Sequence, residues 1–396
     1  MKKSNKETTI VYYTQVHFLD MAIEYARLLS NLGFLTHLVI ELSPNQLKAN
    51  ILDIETNLEE YPALTNFDDV VEKWKLEFLR PYFEKCISVH FAVYSSNDIL
   101  KTRSVAKSVQ KYITSLKVDF IHLDDFSIRT LFFLGYFIKN RKKIVASIHD
   151  PVTHSGEFQF KRELYRKIWF SLIPTFVVFS KYSKSILKPQ LSRNKKIIVL
   201  NLLPYTVYKS FLDKDISSKI NTENQYISFV GRISSYKGID LFVKAAKIIN
   251  KTFPDERFFI GGKTARGYEP DFLNNLPEYI VLKNEFLSNN DLANVMSNSK
   301  LIICPYKDAT QSGVVMAAYA LACSVLVTPV GGLPEYIYDN LSGLVSEGVT
   351  VEAIASSINK FLVNKSNLET NGLRDVNGLL HFKLYNSKMI NENLYN

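Results

Sequence analysis

Two cations five residues apart, Arg232 and Lys237, occupy the stretch Phe229-Val-Gly-Arg-Ile-Ser-Ser-Tyr-Lys-Gly-Ile-Asp-Leu-Phe242. The apolar run 226–230 before them reads as a buried strand stopping at Gly231, and Leu241, Ala245, Ile248 and Ile249 space out a helix after Gly238. A loop at the carboxyl end of a buried strand faces the ligand crevice of an open α/β sheet. There an arginine fork and a lysine point charge suit a diphosphate, the alternative being two solvated loop cations. A second stretch, 304–319, leaves a strand at Cys304, crosses Thr310 and Gln311, and starts a small-residue helix near Ser312. The free N–H groups of Ser312, Gly313 and Val314 form an anion site there. A third strand, 142–148, delivers His149-Asp150-Pro151, with His154 close behind. Proline turns the chain away and leaves the imidazole at a cleft edge, although loop histidines bonded to backbone would look the same.

The elements that must hold these groups follow a βαβ rhythm. Strand 9–14, a helix with Leu19, Ala22, Ile23, Ala26 and Leu29 on one face, and strand 36–42 predict a parallel, doubly wound sheet. Residues 44–85 read as a polar, irregular insertion with no assignable chemistry. Further strands are expected at 87–94, 119–125, 175–180 and 195–202, and a polar linker over 204–224. Asp124 and Asp125 end one strand as adjacent carboxylates, whose spacing does not suit a metal site. His17, in the turn Gln15–Asp20, is a cleft candidate or a satisfied structural histidine. Beyond the linker, strands at 257–262 and 280–282 lead to Lys263 and to the Lys283–Ser288 loop. A terminal helix, 381–395, carries Phe382, Tyr385, Met389 and Ile390 on one side.

In this order and separation, the Gly-Arg-x4-Lys-Gly loop, the Ser-Gly helix start and the turn Gly331-Gly-Leu-Pro-Glu335 resemble the retaining family-4, or group 1, glycosyltransferases. The resemblance is best over 225–345. It implies an α/β GT-B fold, with two Rossmann-like doubly wound domains facing a cleft. The acceptor domain would be 1–203, the linker 204–224 and the donor domain 225–380, with 381–396 crossing back. It implies a nucleoside-diphosphate sugar as donor, a glycan or lipid-linked saccharide as acceptor, and no metal or other cofactor. Gly231, Arg232, Lys237, Lys263, Glu285, Phe286, Thr310, Gln311, Ser312, Gly313 and Val314 would bind the donor. His149 matches a histidine that reaches the donor sugar and joins Arg232 and Lys237 as catalytic, with His17, Asp150 and His154 on the acceptor side. The chain departs from the family twice. Gln15-Val-His-Phe-Leu-Asp20 replaces a glycine-rich turn. Thr310 and Ala318 stand where the family has a Glu-x7-Glu pair that meets sugar and ribose, leaving Gln311 or Tyr319 as substitutes. A non-catalytic nucleotide- or glycan-binding scaffold and a nucleotide-sugar epimerase are the alternative readings.

Composition bounds the rest. A chain of 396 residues, 46% hydrophobic, is about two domains' worth. Three scattered cysteines read as buried thiols of a cytosolic protein. No leader or spanning segment is expected from a polar start and the lack of long apolar runs. The net charge of +9 lies wholly in residues 1–203, which hold 29 Lys and Arg against 20 Asp and Glu. Without a nucleic-acid motif, that excess fits an anionic acceptor, an anionic membrane face, or simply a soluble surface. The basic, aromatic helix 160–172 either packs its apolar face on the sheet or, with the Lys139–Lys143 region, lies on such a face.

Overall fold

A computed structural model describes residues 7–152, 160–212, 225–337, 342–363 and 376–395, without the side chains of 160–164 and 376–381. The first sheet contains β1 (Thr9–Gln15), β2 (Leu35–Leu42), β3 (Leu64–Asn66), β4 (Ser88–Val93), β5 (Phe120–Asp124), β6 (Ile144–Ser147), β7 (Thr175–Val178) and β8 (Lys196–Val199). Its order is β3-β4-β2-β1-β5-β6-β7-β8, and β3 alone is antiparallel. β-Branched and aromatic residues fill both faces of the inner strands, as parallel strands covered by helices require. The second sheet contains β9 (Ile227–Val230), β10 (Phe258–Gly261), β11 (Ile280–Lys283), β12 (Leu301–Cys304), β13 (Val325–Val327) and β14 (Gly343–Val345). Its order is β11-β10-β9-β12-β13-β14, all parallel.

In each sheet the order reverses beside the first strand, between β1 and β5 and between β9 and β12. The two crevices opened there are where such sheets bind ligands. The expected α/β architecture of two doubly wound sheets is therefore present.

Two sequence expectations need correction. Residues 44–85 are irregular as expected but not a merely polar insertion, because Phe67, Val70, Val71, Trp74, Leu76, Leu79, Tyr82 and Phe83 are all buried. Their hydrophobic spacing is irregular because turns and short 3-10 segments, rather than one long helix, carry them to the β4 edge. The start of the 204–224 linker is likewise ordered. Tyr205 N–H donates to the Met316 carbonyl at 3.3 Å, and Val207 and Tyr208 are buried. Residues 213–224 lie outside the described residues.

The terminal helix Val376–Met389 packs back onto the first sheet's side. Asn386 is fully buried, accepts Asn201 N–H at 2.8 Å and donates to Tyr25 Oη at 3.1 Å. Tyr395 Oη is hydrogen-bonded to His122 Nδ1 at 2.6 Å. With Ser147 Oγ on its other nitrogen, His122 is fully satisfied, and burial pulls its pKa down to about 4. That imidazole is neutral scaffolding.

Candidate active site

The site is built from loops at the carboxyl ends of both sheets. On the first, β5 ends in Asp124, which is 1% exposed, and β6 leads to His149, which is 3% exposed. His149 Nε2–H donates to Asp124 Oδ1 at 2.8 Å, while Thr14 Oγ1 at the end of β1 donates to Asp124 Oδ2 at 2.7 Å. The imidazole stacks on Phe18, with centroids 3.7 Å apart, and leans on Phe179. Burial is the largest influence and opposes its charge, but Asp124, Asp125 and Asp150 together outweigh burial and hold the His149 pKa above its ordinary 6.5.

The other nitrogen of His149 meets the second sheet's side. Gln311 Nε2 donates to Nδ1 at 3.2 Å, and Gln311 Oε1 is buried without a partner. Rotating that amide by half a turn would let Oε1 accept from a protonated ring, so glutamine serves either state of the imidazole. Beside it, Thr310 Oγ1 donates to Asp150 Oδ1. Residues 149 and 150 thus pair with 311 and 310 across the cleft.

Further contacts hold the two walls together. Glu335 accepts the backbone N–H groups of Lys181 at 2.7 Å and Tyr182 at 2.8 Å, capping the helix Lys181–Leu187 from the opposite side. Gly331 must be glycine here, since at φ 54° an added Cβ would sit 1.6 Å from the Ala309 carbonyl oxygen.

The cation loop lies on the other side of this floor. Gly238 takes φ 68°, and a Cβ there would strike the Pro305 carbonyl at 1.8 Å, so the loop is pressed onto the end of β12. Lys237 Nζ stands 3.9 Å from the Tyr306 ring centroid, and Tyr306 Oη lies 3.4 Å from Ser312 Oγ. Arg232 is exposed and donates to Tyr236 Oη at 3.1 Å. The helix Gly313–Ala320 has Ser312 at its N-cap with no side-chain capping bond. Tyr306 thus links the Lys237 ammonium to the helix start, whose first N–H groups have no side-chain cap, as an anion cradle requires.

A cavity of about 870 Å³ opens from this loop, lined by Gly231, Arg232, Gly262, Lys263, Thr264, Arg266, Phe286 and Leu287 among others. Its apolar wall and cationic rim match a flat ring attached to an anion.

The structure brings together His149, Asp150, Thr310 and Gln311, and separately Gly231, Arg232, Lys263 and Phe286. Glu285 does not line the cavity: it is largely exposed and paired with Lys283 at 3.4 Å. His17 is exposed in the turn after β1, and its neighbour Phe18, not His17, meets His149. His154 lies outside the described residues. Tyr319 cannot stand in for the absent carboxylates, because its hydroxyl is turned inward, donating to the Tyr336 carbonyl and hydrogen-bonded with the Ser342 hydroxyl, both at 2.9 Å. Ala318 is fully buried.

Sequence reasoning weighed Asp124 only as a metal ligand and missed it as the partner of His149. Asp125 turns away at φ 62° and accepts its neighbour's N–H from Phe126 at 2.7 Å. Among the described residues no three His, Cys, Asp or Glu side chains gather as a metal cluster. Asp20 was also missed. It sits in the first turn of the helix Leu19–Asn31, hydrogen-bonded by Tyr208, where burial pushes its carboxyl up to about 6.

Residues 211–372 match the family model for group 1 glycosyl transferases. The D-inositol 3-phosphate glycosyltransferase of Mycolicibacterium smegmatis is 30% identical over 148 residues, 36% of this chain and 33% of that one. The chain thus matches about a third of the length of such curated relatives. An uncharacterised glycosyltransferase of Haemophilus influenzae is 22% identical over 72% of this chain and 79% of its own. Among solved structures, Anabaena HepE in complex with UDP-glucose superposes with a TM-score of 0.64, at 13% identity, over 98% of this chain and 99% of that one. The chain has the GT-B fold, and its C-terminal part carries the group 1 glycosyltransferase pattern.

Proposed function

We propose that this chain is a retaining glycosyltransferase that moves a hexosyl group from a nucleoside-diphosphate sugar to a hydroxyl of a glycan or lipid-linked saccharide, in cell-surface polysaccharide synthesis. The observation that supports the reading is that the helix start at Ser312, without a side-chain cap, adjoins Gln311, which bonds the Asp124-paired His149, while Lys237 rests on Tyr306 beside Ser312. The glycosyl C–O bond to the diphosphate breaks, and its electron pair stays on the departing oxygen. The acceptor oxygen bonds the anomeric carbon from the same face and passes its proton to that diphosphate oxygen. The cradle stabilises the charge that develops there, which is electrostatic catalysis by fixed donors. The donor's base and sugar would occupy the cavity beside Phe286 and the region below Gln311.

The test is donor-dependent release of nucleoside diphosphate from a panel of UDP- and GDP-sugars, with and without saccharide acceptors. Two cations and a helix N-terminus already offset the leaving charge, so turnover is expected to persist in excess EDTA. Activity silenced by chelation and restored by Mg²⁺ or Mn²⁺ would refute the metal-independent reading. The scaffold alternative draws on Thr310 and Ala318, which lack carboxylates, and predicts binding without release. An epimerase would change the sugar with no acceptor present.

The acceptor is proposed to lie at an anionic membrane face. No helix among the described residues is long and apolar enough to cross a membrane. Lys139, Arg141, Lys142 and Lys167 are exposed, flanking the exposed Ile138 and Ile168. Arg166 is excluded from that surface: it is 4% exposed and donates to the Asp150 carbonyl at 2.8 Å. Each surface cation contributes on the order of 1 kcal/mol at an anionic leaflet. Co-sedimentation with anionic vesicles at low salt is therefore expected, and release at high salt. Equal recovery in the supernatant under all conditions would point to a soluble acceptor.

A further inference from the structure

Glycosyl transfer builds positive charge on the sugar ring as the diphosphate departs, and an anion held beside the ring lowers that barrier. On the second sheet's wall Thr310, just before the helix Gly313–Ala320, and Ala318, within it, hold no acid. Thr310 is 2% exposed, and its hydroxyl is spent on Asp150 Oδ1 from the opposite wall. Asp150 follows His149 directly, so its carboxylate reaches the spot next to the one position where an acid on the C-terminal wall would stand. Its main chain is fixed from behind by Arg166, whose Nη2 donates to the Asp150 carbonyl at 2.8 Å. Asp124 is occupied by Thr14 and His149, and Asp20 by Tyr208 and the Met21 N–H.

We infer that the carboxylate facing the donor sugar has moved across the cleft, from position 310 to Asp150, with Thr310 as the hydroxyl that holds it in place. Asp150 forms no bond to the sugar. It remains an anion beside the ring while the bond to the diphosphate breaks. Because it comes from the N-terminal wall, the charge is complete only when the two walls are closed on each other, as the Thr310–Asp150 and Gln311–His149 contacts hold them. This role rests on the glycosyltransferase reading and assigns Asp150 to the donor rather than to the acceptor.

A transposition experiment tests it. Asp150→Asn removes the charge at nearly constant shape and is expected to lower turnover about a hundredfold. Thr310→Glu alone sets two carboxylates side by side, forces them to share a proton, and is expected to lower turnover as well. The double variant D150N/T310E restores one carboxylate from the other wall and is expected to recover at least tenfold over D150N, an outcome no purely structural role of Asp150 would produce. All three are measured as nucleoside diphosphate release from the UDP- and GDP-sugar panel, with thermal melting as the check on folding. Wild-type turnover in D150N, or no recovery in the double variant while it melts normally, overturns the inference and leaves the transferase reading standing. A wild-type chain that turns over no donor in the panel removes both.

Discussion

Arg232→Ala and Lys237→Ala are each expected to lower turnover about a hundredfold or more, with melting temperatures close to that of the parent chain. The magnitude follows from removing one preorganised charge from a leaving group, typically about 3 kcal/mol at the transition state. Folding is spared because neither side chain carries the core. Arg232 is exposed, and Lys237 rests on the face of Tyr306, 3.9 Å from the ring centroid. That cation–π contact also predicts a graded companion result. Tyr306→Phe keeps the aromatic face under the ammonium and loses a 3.4 Å contact with Ser312 and one with the Cys304 thiol, neither of them charged, so it is expected to cost far less than K237A. Wild-type turnover by either alanine variant at saturating donor would refute the diphosphate assignment.

The second large effect is expected at Asp124. Asp124→Asn retains the shape and leaves an oxygen for His149 Nε2–H, but removes the largest of the charges that together keep His149 above 6.5. The wild-type imidazole is raised in the folded state, so its stabilising contribution is fully present below pH 6.5 and is lost as pH rises through the raised value. In D124N burial is opposed only by the weaker fields of Asp125 and Asp150, the folded pKa falls relative to the wild type, and the variant is penalised under acid conditions. The stability gap between wild type and variant should therefore be wide at pH 5, about 3 kcal/mol as for other broken buried pairs, and narrow at pH 8.5. Urea denaturation at the two pH values measures it. Turnover is expected to fall about a hundredfold as the imidazole loses the carboxylate that orients it and favours its charged form. A pH-independent stability gap would mean that His149 does not titrate against Asp124.

Much of this was legible in the chain. Periodicity marked β1, the helix after it and β2, because parallel strands buried on both faces must be apolar throughout and amphipathic helices must repeat at 3.6 residues. The cation loop and the Ser-Gly helix start were legible because each lies within a few residues of sequence and uses local backbone chemistry. Arg232, Lys237 and Ser312 needed only a strand end and a helix start to be placed. The packed segment 44–85 was not legible: Trp74 and Phe83 are buried through turns that impose no period. Nor were the pairings that span the cleft. Asp124 and His149 are 25 residues apart, Asp150 and Thr310 are 160 apart, and His149 and Gln311 are 162 apart. Nothing local relates them, since their meeting depends on strand order within one sheet and on how two sheets close against each other. The same physics separates two histidines that look alike in sequence. His122 is neutral between Tyr395 and Ser147, while His149 is held toward its charged form by the carboxylate that ends a neighbouring strand. Local sequence chemistry chose the groups, and long-range packing chose their partners and so their charge.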